Sequence, residues 1–214
     1  MLHVNNLTVQ RGVTSIFRDV TLHVQQGERV ALHGPSGCGK TTLLFAVAGL
    51  VQTLSGTVEI DSRDITHTPT HQRDIGLVFQ DDQLFPHFDV ADNVSYALRV
   101  QGIPTRIRRN AANEWLERVG LAGFAQRSVQ SLSGGEAKRV ALARTLAATP
   151  RVVLLDEPLT GLDDHLRDHL LHDLRLLFDD IGSTVLHVTH DRSEGAALCS
   201  RSLEFASLST RLHT

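Results

Sequence analysis

The sequence predicts an α/β fold: a core with a mainly parallel sheet, an antiparallel β-subdomain at the N-terminus, and an α-helical subdomain inserted in the core. Three observations predict it. Val30 to Thr42 reads VALHGPSGCGKTT, an apolar strand, a glycine-rich loop and a helical run in succession. Ile75–Phe79, Val152–Leu155 and Thr184–Thr189 are largely apolar runs of strand length, as in a parallel sheet covered on both faces. The first residues alternate apolar and polar, whereas 81–131 carries helical spacing.

In chain order, Leu2–Val4, Leu7–Val9 and Val20–Val24 alternate as half-buried strands. Gln26-Gly27-Glu28 is a turn before the buried strand at Val30. Ser55-Gly56 leads into a strand at 57–60. From Asp81 to about Ser131 the pattern is helical, with one helix at 92–100 and another starting at Pro104-Thr105. Arg106, Arg108 and Arg109 cluster at that start, where cations oppose the helix dipole; they read as a solvated face or a docking surface, the solvated face being favoured. A helix over 164–178, a short helix at 194–200 and a strand at 202–207 complete the pattern.

Composition bounds the function. The 214 residues carry 41% hydrophobic and 21% charged side chains, with 21 basic against 24 acidic. That is a globular composition with no electrostatic bias toward nucleic acid or an anionic bilayer. No apolar run approaches the ~20 residues of a membrane span, and the N-terminus does not read as a signal peptide. Cys38 and Cys199 cannot build a disulfide framework, so a reduced, cytosolic setting is expected.

Gly34 to Thr41, GPSGCGKT, fits the phosphate-loop pattern of two glycines and a Lys-Thr pair. Gly34, Pro35, Ser36, Gly37, Cys38 and Gly39 form the loop whose N–H groups converge on phosphate. Lys40 supplies a point charge, the Thr41 hydroxyl suits Mg²⁺, and Thr42 follows. Asp156-Glu157 ends the strand at 152. Asp156 is expected to hold Mg²⁺, and Glu157 to polarise an attacking water as general base. Ser131–Ala143 reads SLSGGEAKRVALA, in which Ser133, Gly134 and Gly135 form a second phosphate-binding helix start. Its economical use is in trans, on another subunit's nucleotide.

Taken together the chain resembles the nucleotide-binding subunit of ATP-binding cassette transporters, a member of the phosphate-loop NTPases. GPSGCGKT is similar to the Walker A motif, VVLLDEP at Val152 to Walker B, and LSGGE at Leu132 to the signature. Gln80 matches the Q-loop glutamine, LTGLD (Leu159–Asp163) the D-loop, and VTHD at Val188 the switch, with His190. The resemblance implies a single cassette domain over 1–214, with 81–131 as its helical subdomain; the short stretch after His190 departs from the pattern, and no C-terminal regulatory domain is expected. It implies ATP and Mg²⁺ as ligands and a head-to-tail homodimer. Gln80 would sense Mg²⁺ and water, His190 would contact the γ-phosphate, Asp163 would lie in the D-loop, and Ser133 and Gly135 would meet the partner's γ-phosphate. Arg11 replaces the aromatic that stacks on adenine, Glu136 replaces the commoner Gln, and Ala137-Lys138 replaces Arg-Gln.

The stretch DDQLFPHFDVADNVSYAL after Gln80 resembles the importer subgroup. That implies transmembrane permease subunits, an extracytoplasmic solute-binding protein, and a peripheral location on the cytoplasmic face of the inner membrane. Leu84, Phe85 and Phe88 either line a groove for a permease helix or cap the helical core. A soluble cassette ATPase and an exporter ATPase are the alternatives; a phosphate-loop kinase fits poorly. The sequence selects no solute, beyond similarity around Gln80 to thiamine-type importers. His165, His169 and His172 share one helix face, with Leu166, Leu170, Leu174 and Leu177 opposite; two histidines at i, i+4 can ligate zinc, but with no other ligand evident the stripe is read as solvated. His33 has no account from sequence.

Overall fold

A computed structural model describes residues 1–209, and the chain divides into two compact units. Among the described residues, the first comprises Met1–Leu77, Arg151–Glu157 and 182–209; the second comprises Val78–Pro150 and Pro158–Ile181.

The first unit holds two sheets. In the antiparallel sheet, β1 (Leu2–Arg11), β2 (Thr14–Val24), β4 (Ser55–Ile60) and β5 (Arg63–Asp64) run in the order β2-β1-β4-β5. The two short strands expected at the N-terminus are one strand, β1. Its register against β2 shifts at three places, and Asn6 adopts a positive φ of 47°. The bulges break the alternation of side chains without ending the strand, which is why the sequence reads as two pieces. Leu2, Val4 and Leu7 face the core with Leu22, Val24, Val58 and Ile60.

The second sheet has the order β6-β7-β8-β3-β9, from β3 (Arg29–His33), β6 (Ile75–Val78), β7 (Val152–Asp156), β8 (Thr184–Val188) and β9 (Arg201–Glu204). β8 pairs in parallel with both β7 and β3, and β3 with β9. Every residue of β7 and β8 is buried, as their apolar runs require. β9 is shorter than the expected strand at 202–207. The chain turns at Phe205 into α8 (Phe205–Leu208), and Phe205 meets the Phe17 ring edge-on at 5.9 Å.

α1 (Lys40–Ala48) packs in this unit, and its C-terminus is closed both by the residues that follow it and by Arg73. Gly49 takes φ 80°, donating its N–H to Ala46 O while Leu50 N–H reaches Phe45 O, a Schellman closure. The buried Arg73 guanidinium adds bonds to Ala46 O and Val47 O. His33 is buried beneath α7 (Arg192–Leu198), where Gly195 leaves room: a Cβ there would lie 2.6 Å from the ring. Its Nε2 is 3.4 Å from Ser202 Oγ.

The second unit is helical: α2 (Val90–Val94), α3 (Tyr96–Val100), α4 (Thr105–Arg118), α5 (Gly134–Leu146) and α6 (Asp164–Ile181). It is larger than the 81–131 segment because α5 and α6 belong to it. A Cβ on Gly135 would come within 2.8 Å of Leu166, so glycine there permits the close approach of α5 to α6. The helix expected at 92–100 is split at Ser95, whose buried hydroxyl donates to Ala91 O, a back-bond that bends helices.

Of the three arginines expected on a solvated face, one is buried and one is half-buried. Arg108 is 8% exposed and donates to Asp92 Oδ1 at 2.6 Å and to Ser95 Oγ at 2.9 Å. Arg109 donates to Asp89 Oδ2 at 2.7 Å. The carboxylates at the start of α2 supply the compensation that the dipole of α4 does not; Arg106 alone of the three is exposed. Phe85, Phe88 and Tyr96 pack on one another, with centroids 4.5–6.1 Å apart, and Asn93, fully buried, bonds the backbone of Phe85, Phe88 and Asp89. That favours the capping role for these aromatics.

Candidate functional site

In the first unit the carboxyl ends of three strands meet, with β8 between β3 and β7. Such strand ends are where open α/β sheets place their ligands. The glycine loop follows β3. Gly37 and Gly39 take φ of 78° and 109°, a left-handed backbone that non-glycine residues adopt at a cost. Gly39 also packs under Ile16, Phe17 and Phe205, where a Cβ would be 3.2–3.3 Å from each. β2 therefore braces the loop, and Arg11 lies at the exposed tip of the same hairpin, opposite Thr14.

Lys40 is 5% exposed and turns back into the loop. Its ammonium donates to Gly34 O at 2.7 Å and Pro35 O at 3.0 Å, with Cys38 Sγ at 4.0 Å. These loop carbonyls hold a cation where an anion's oxygens would otherwise recruit it.

Thr41 Oγ1 donates to Asp156 Oδ1 at 2.8 Å. Asp156 is 3% exposed, and burial pushes its carboxyl up, opposed by the Thr41 bond. A hydroxyl and a carboxylate side by side are hard oxygen donors, the set that suits Mg²⁺. Glu157 follows with φ 44°, its N–H bonded to Val188 O at 3.0 Å. Its Oε2 lies 3.1 Å from His190 Nδ1. The expected general base and the expected switch histidine are thus a contact pair, something the sequence did not reveal.

Behind His190 lies a network that sequence reasoning missed. Glu194 accepts from the Thr189 hydroxyl at 3.0 Å, and its other oxygen is 2.9 Å from Nε2 of the fully buried His187. Asp191 caps α7 by accepting from Ser193 and Glu194 N–H. The residues flanking His190 are therefore fixed, while its own ring is exposed.

The other expected site residues lie in the second unit. Ser133 caps α5 in a capping box: Glu136 Oε2 accepts from Ser133 N–H at 2.7 Å and Ser133 Oγ at 2.9 Å, while Ser133 Oγ accepts from Glu136 N–H. The Ser133 backbone N–H, then its hydroxyl, hold the Glu136 carboxyl below its usual range. A Cβ at Gly134 would meet nothing, so that backbone is open to a ligand. Asp163 accepts from Leu166 N–H at 3.0 Å at the start of α6. Gln80 is exposed, and its carbonyl accepts from Lys138 at 3.2 Å. Arg144, desolvated and so with its pKa lowered, donates to Asp82 O and Gln83 O. Helix α5 thus clamps the segment after Gln80 through two cations, one of them the Lys138 that departs from the expected pair.

Comparison with known proteins accords with this geometry. The family model described as ABC transporter matches residues 17–160. The Fe(3+) ions import ATP-binding protein FbpC of Streptomyces coelicolor is 49% identical over 201 residues, 94% of this chain and 58% of that protein. The FbpC protein of Escherichia coli is 43% identical over 92% of this chain and 57% of its own length. The spermidine/putrescine import ATP-binding protein PotA of Spiroplasma citri is 42% identical over 94% and 57%. The chain thus spans less than two thirds of these curated relatives. Among solved structures, the dimeric post-hydrolysis state of the ATP-binding cassette MJ0796 bound to ADP and phosphate superposes with TM-score 0.84 at 32% identity. It covers 95% of this chain and 94% of that one. Motifs, strand-end geometry and these likenesses agree, and the chain belongs to the ABC transporter family of ATP-binding cassettes.

Proposed function

We propose that this chain is the ATP-hydrolysing subunit of a solute importer, working as a head-to-tail homodimer against membrane permease subunits. The observation that carries the reading is the set of Lys40, Thr41, Asp156, Glu157 and His190 at the ends of three adjacent strands. The importer part rests on relatives at 42–49% identity that are named for import.

In this reading the N–H groups of Gly37, Gly39, Lys40 and Thr41 cradle the phosphates, with Pro35, Ser36 and Cys38 shaping the loop and Thr42 continuing it. Lys40 exchanges the carbonyls of Gly34 and Pro35 for phosphate oxygens. Thr41 and Asp156 would hold Mg²⁺, which neutralises charge on the β- and γ-phosphates. Glu157 accepts the proton as water attacks the γ-phosphorus, and His190, hydrogen-bonded to Glu157, orients that carboxylate and meets the γ-phosphate. The roles of Gln80, Ser133, Gly134, Gly135 and Asp163 toward nucleotide, and of Arg11 toward adenine, rest on the resemblance. So do the solute-binding protein and the peripheral location at the inner membrane. Among the described residues no helix is long and apolar enough to cross a membrane.

The test is Glu157→Gln, expressed in its own cell with ATP and Mg²⁺ and purified from solubilised membranes. ATP is retained, turnover falls by about 10²–10⁴-fold, and a polytopic membrane protein co-purifies. Undiminished hydrolysis overturns the role of Glu157; a soluble homodimer without membrane partner overturns the transporter reading in favour of a soluble cassette. Ferric ion is the first solute to assay, ahead of polyamines, on the names of the relatives above; thiamine follows on the sequence resemblance alone.

A further inference from the structure

The first two turns of α6 carry an exposed pair of histidines that the ATPase reading does not use. His165 and His169 lie one helical turn apart, with ring centroids 4.5 Å apart. Their Nε2 atoms converge to 3.3 Å. Two nitrogens bound to one tetrahedral ion at ordinary Zn–N lengths are separated by ~3.3 Å. The opposite face of α6 is anchored by buried Leu170, Leu174 and Leu177, so the helix presents the pair on a fixed backbone.

We propose that His165 and His169 form a chelating site for one borderline divalent ion, of the class of Zn²⁺, Ni²⁺ or Cu²⁺. Imidazole nitrogen selects these ions over Mg²⁺, which prefers oxygen. Among the described residues no third His, Cys, Asp or Glu joins the pair in ligating geometry, so water fills the remaining positions. The site is chemically separate from the Thr41–Asp156 oxygen pair and is not displaced by excess Mg²⁺. Bridging residues i and i+4, the ion also stabilises the start of α6.

The chain contains its own control. His3 and His23, paired across β1 and β2, also stack, at 4.9 Å and 30°, with no ring-nitrogen contact between them. The experiment is calorimetric titration of the untagged full chain with NiCl₂ and with ZnCl₂ in excess Mg²⁺. It compares wild type, His165→Ala, His169→Ala and His3→Ala, and maps Ni²⁺ by paramagnetic broadening of amide signals. The expected result is one ion per chain, broadening centred on the first turns of α6, and affinity reduced about tenfold or more in His165→Ala and in His169→Ala. His3→Ala binds as wild type does. Equal affinity in all four proteins overturns the site, as does a loss confined to His3→Ala, or no binding at all. These side chains are exposed, so neither alanine variant at 165 or 169 is expected to compromise folding.

Discussion

Arg73→Met should destabilise the nucleotide-binding unit far more than its place in a polar loop suggests. Arg73 is 6% exposed, and its guanidinium donates to Thr66 O at 2.6 Å, Thr68 O at 2.8 Å, Val47 O at 2.9 Å and Ala46 O at 3.2 Å. Methionine fills similar volume and removes every one of these donors. Ala46 O keeps the Gly49 N–H, so it is not orphaned. Val47 O lies inside the C-terminus of α1, and stranding a buried acceptor costs about 1–3 kcal/mol. Thr66 and Thr68 are half-exposed, so water can replace the lost donor at about 0.5–1 kcal/mol each. Removing the buried cation returns part of this, since its own desolvation already lowers its pKa. The net is about 2–3 kcal/mol, or roughly 4–12 °C in melting temperature for a chain of this size. The assay is urea unfolding at constant m-value, with thermal melting as a check. A loss below about 1 kcal/mol would refute the claim that Arg73 closes α1.

Three further outcomes are expected. Ser133→Arg leaves ATP binding by the monomer intact and abolishes ATP-driven dimerisation with Glu157→Gln as background, read by light scattering; a dimer that still forms means α5 does not meet a partner's phosphate. Cys199, with its thiol pushed up to about 12 by burial, is roughly one part in 3,000 thiolate at pH 8.5, so iodoacetamide at that pH labels Cys38 and spares Cys199, as peptide mass spectrometry would show. Glu136→Ala removes the capping box. Because the folded carboxyl is held below its ordinary value of 4.5, its stabilisation is present above that value and is lost as pH falls through the folded pKa. The wild type is therefore more stable near pH 7 by about 1 kcal/mol or less, and the gap narrows as pH falls below about 4.5; a gap that does not shrink with acid contradicts the charge-assisted cap.

What was legible in the sequence was whatever is written locally. The glycine loop, the apolar runs of β7 and β8, and Asp156, Glu157 and His190 at their ends are readable because burial on both faces and strand-end chemistry leave contiguous signatures. Long-range polar pairing leaves no such signature. Arg108 and Arg109 look like solvated charges until α2 places Asp89 and Asp92 against them, and nothing local marks Arg73 as the residue that meets the end of α1. β1 reads as two strands because a bulge resets the alternation that the eye follows.

His33 is instructive for the same reason. Nothing near it in sequence explains a histidine at the end of a buried strand. The explanation sits at Gly195, whose missing side chain makes the space, and at Ser202 on the neighbouring strand. The same helix supplies Glu194, which accepts from the Thr189 hydroxyl just past the adjacent strand and lies 2.9 Å from His187 Nε2. One short helix, α7, thus seats both unusual buried histidines, and through Thr189 it fixes the backbone from which His190 reaches Glu157. The freedom of the exposed His190 ring is therefore confined to its side chain. In the proposed role, Nδ1 of His190 keeps its 3.1 Å contact with Glu157 and the other ring nitrogen is left to meet the phosphate, without movement of a strand.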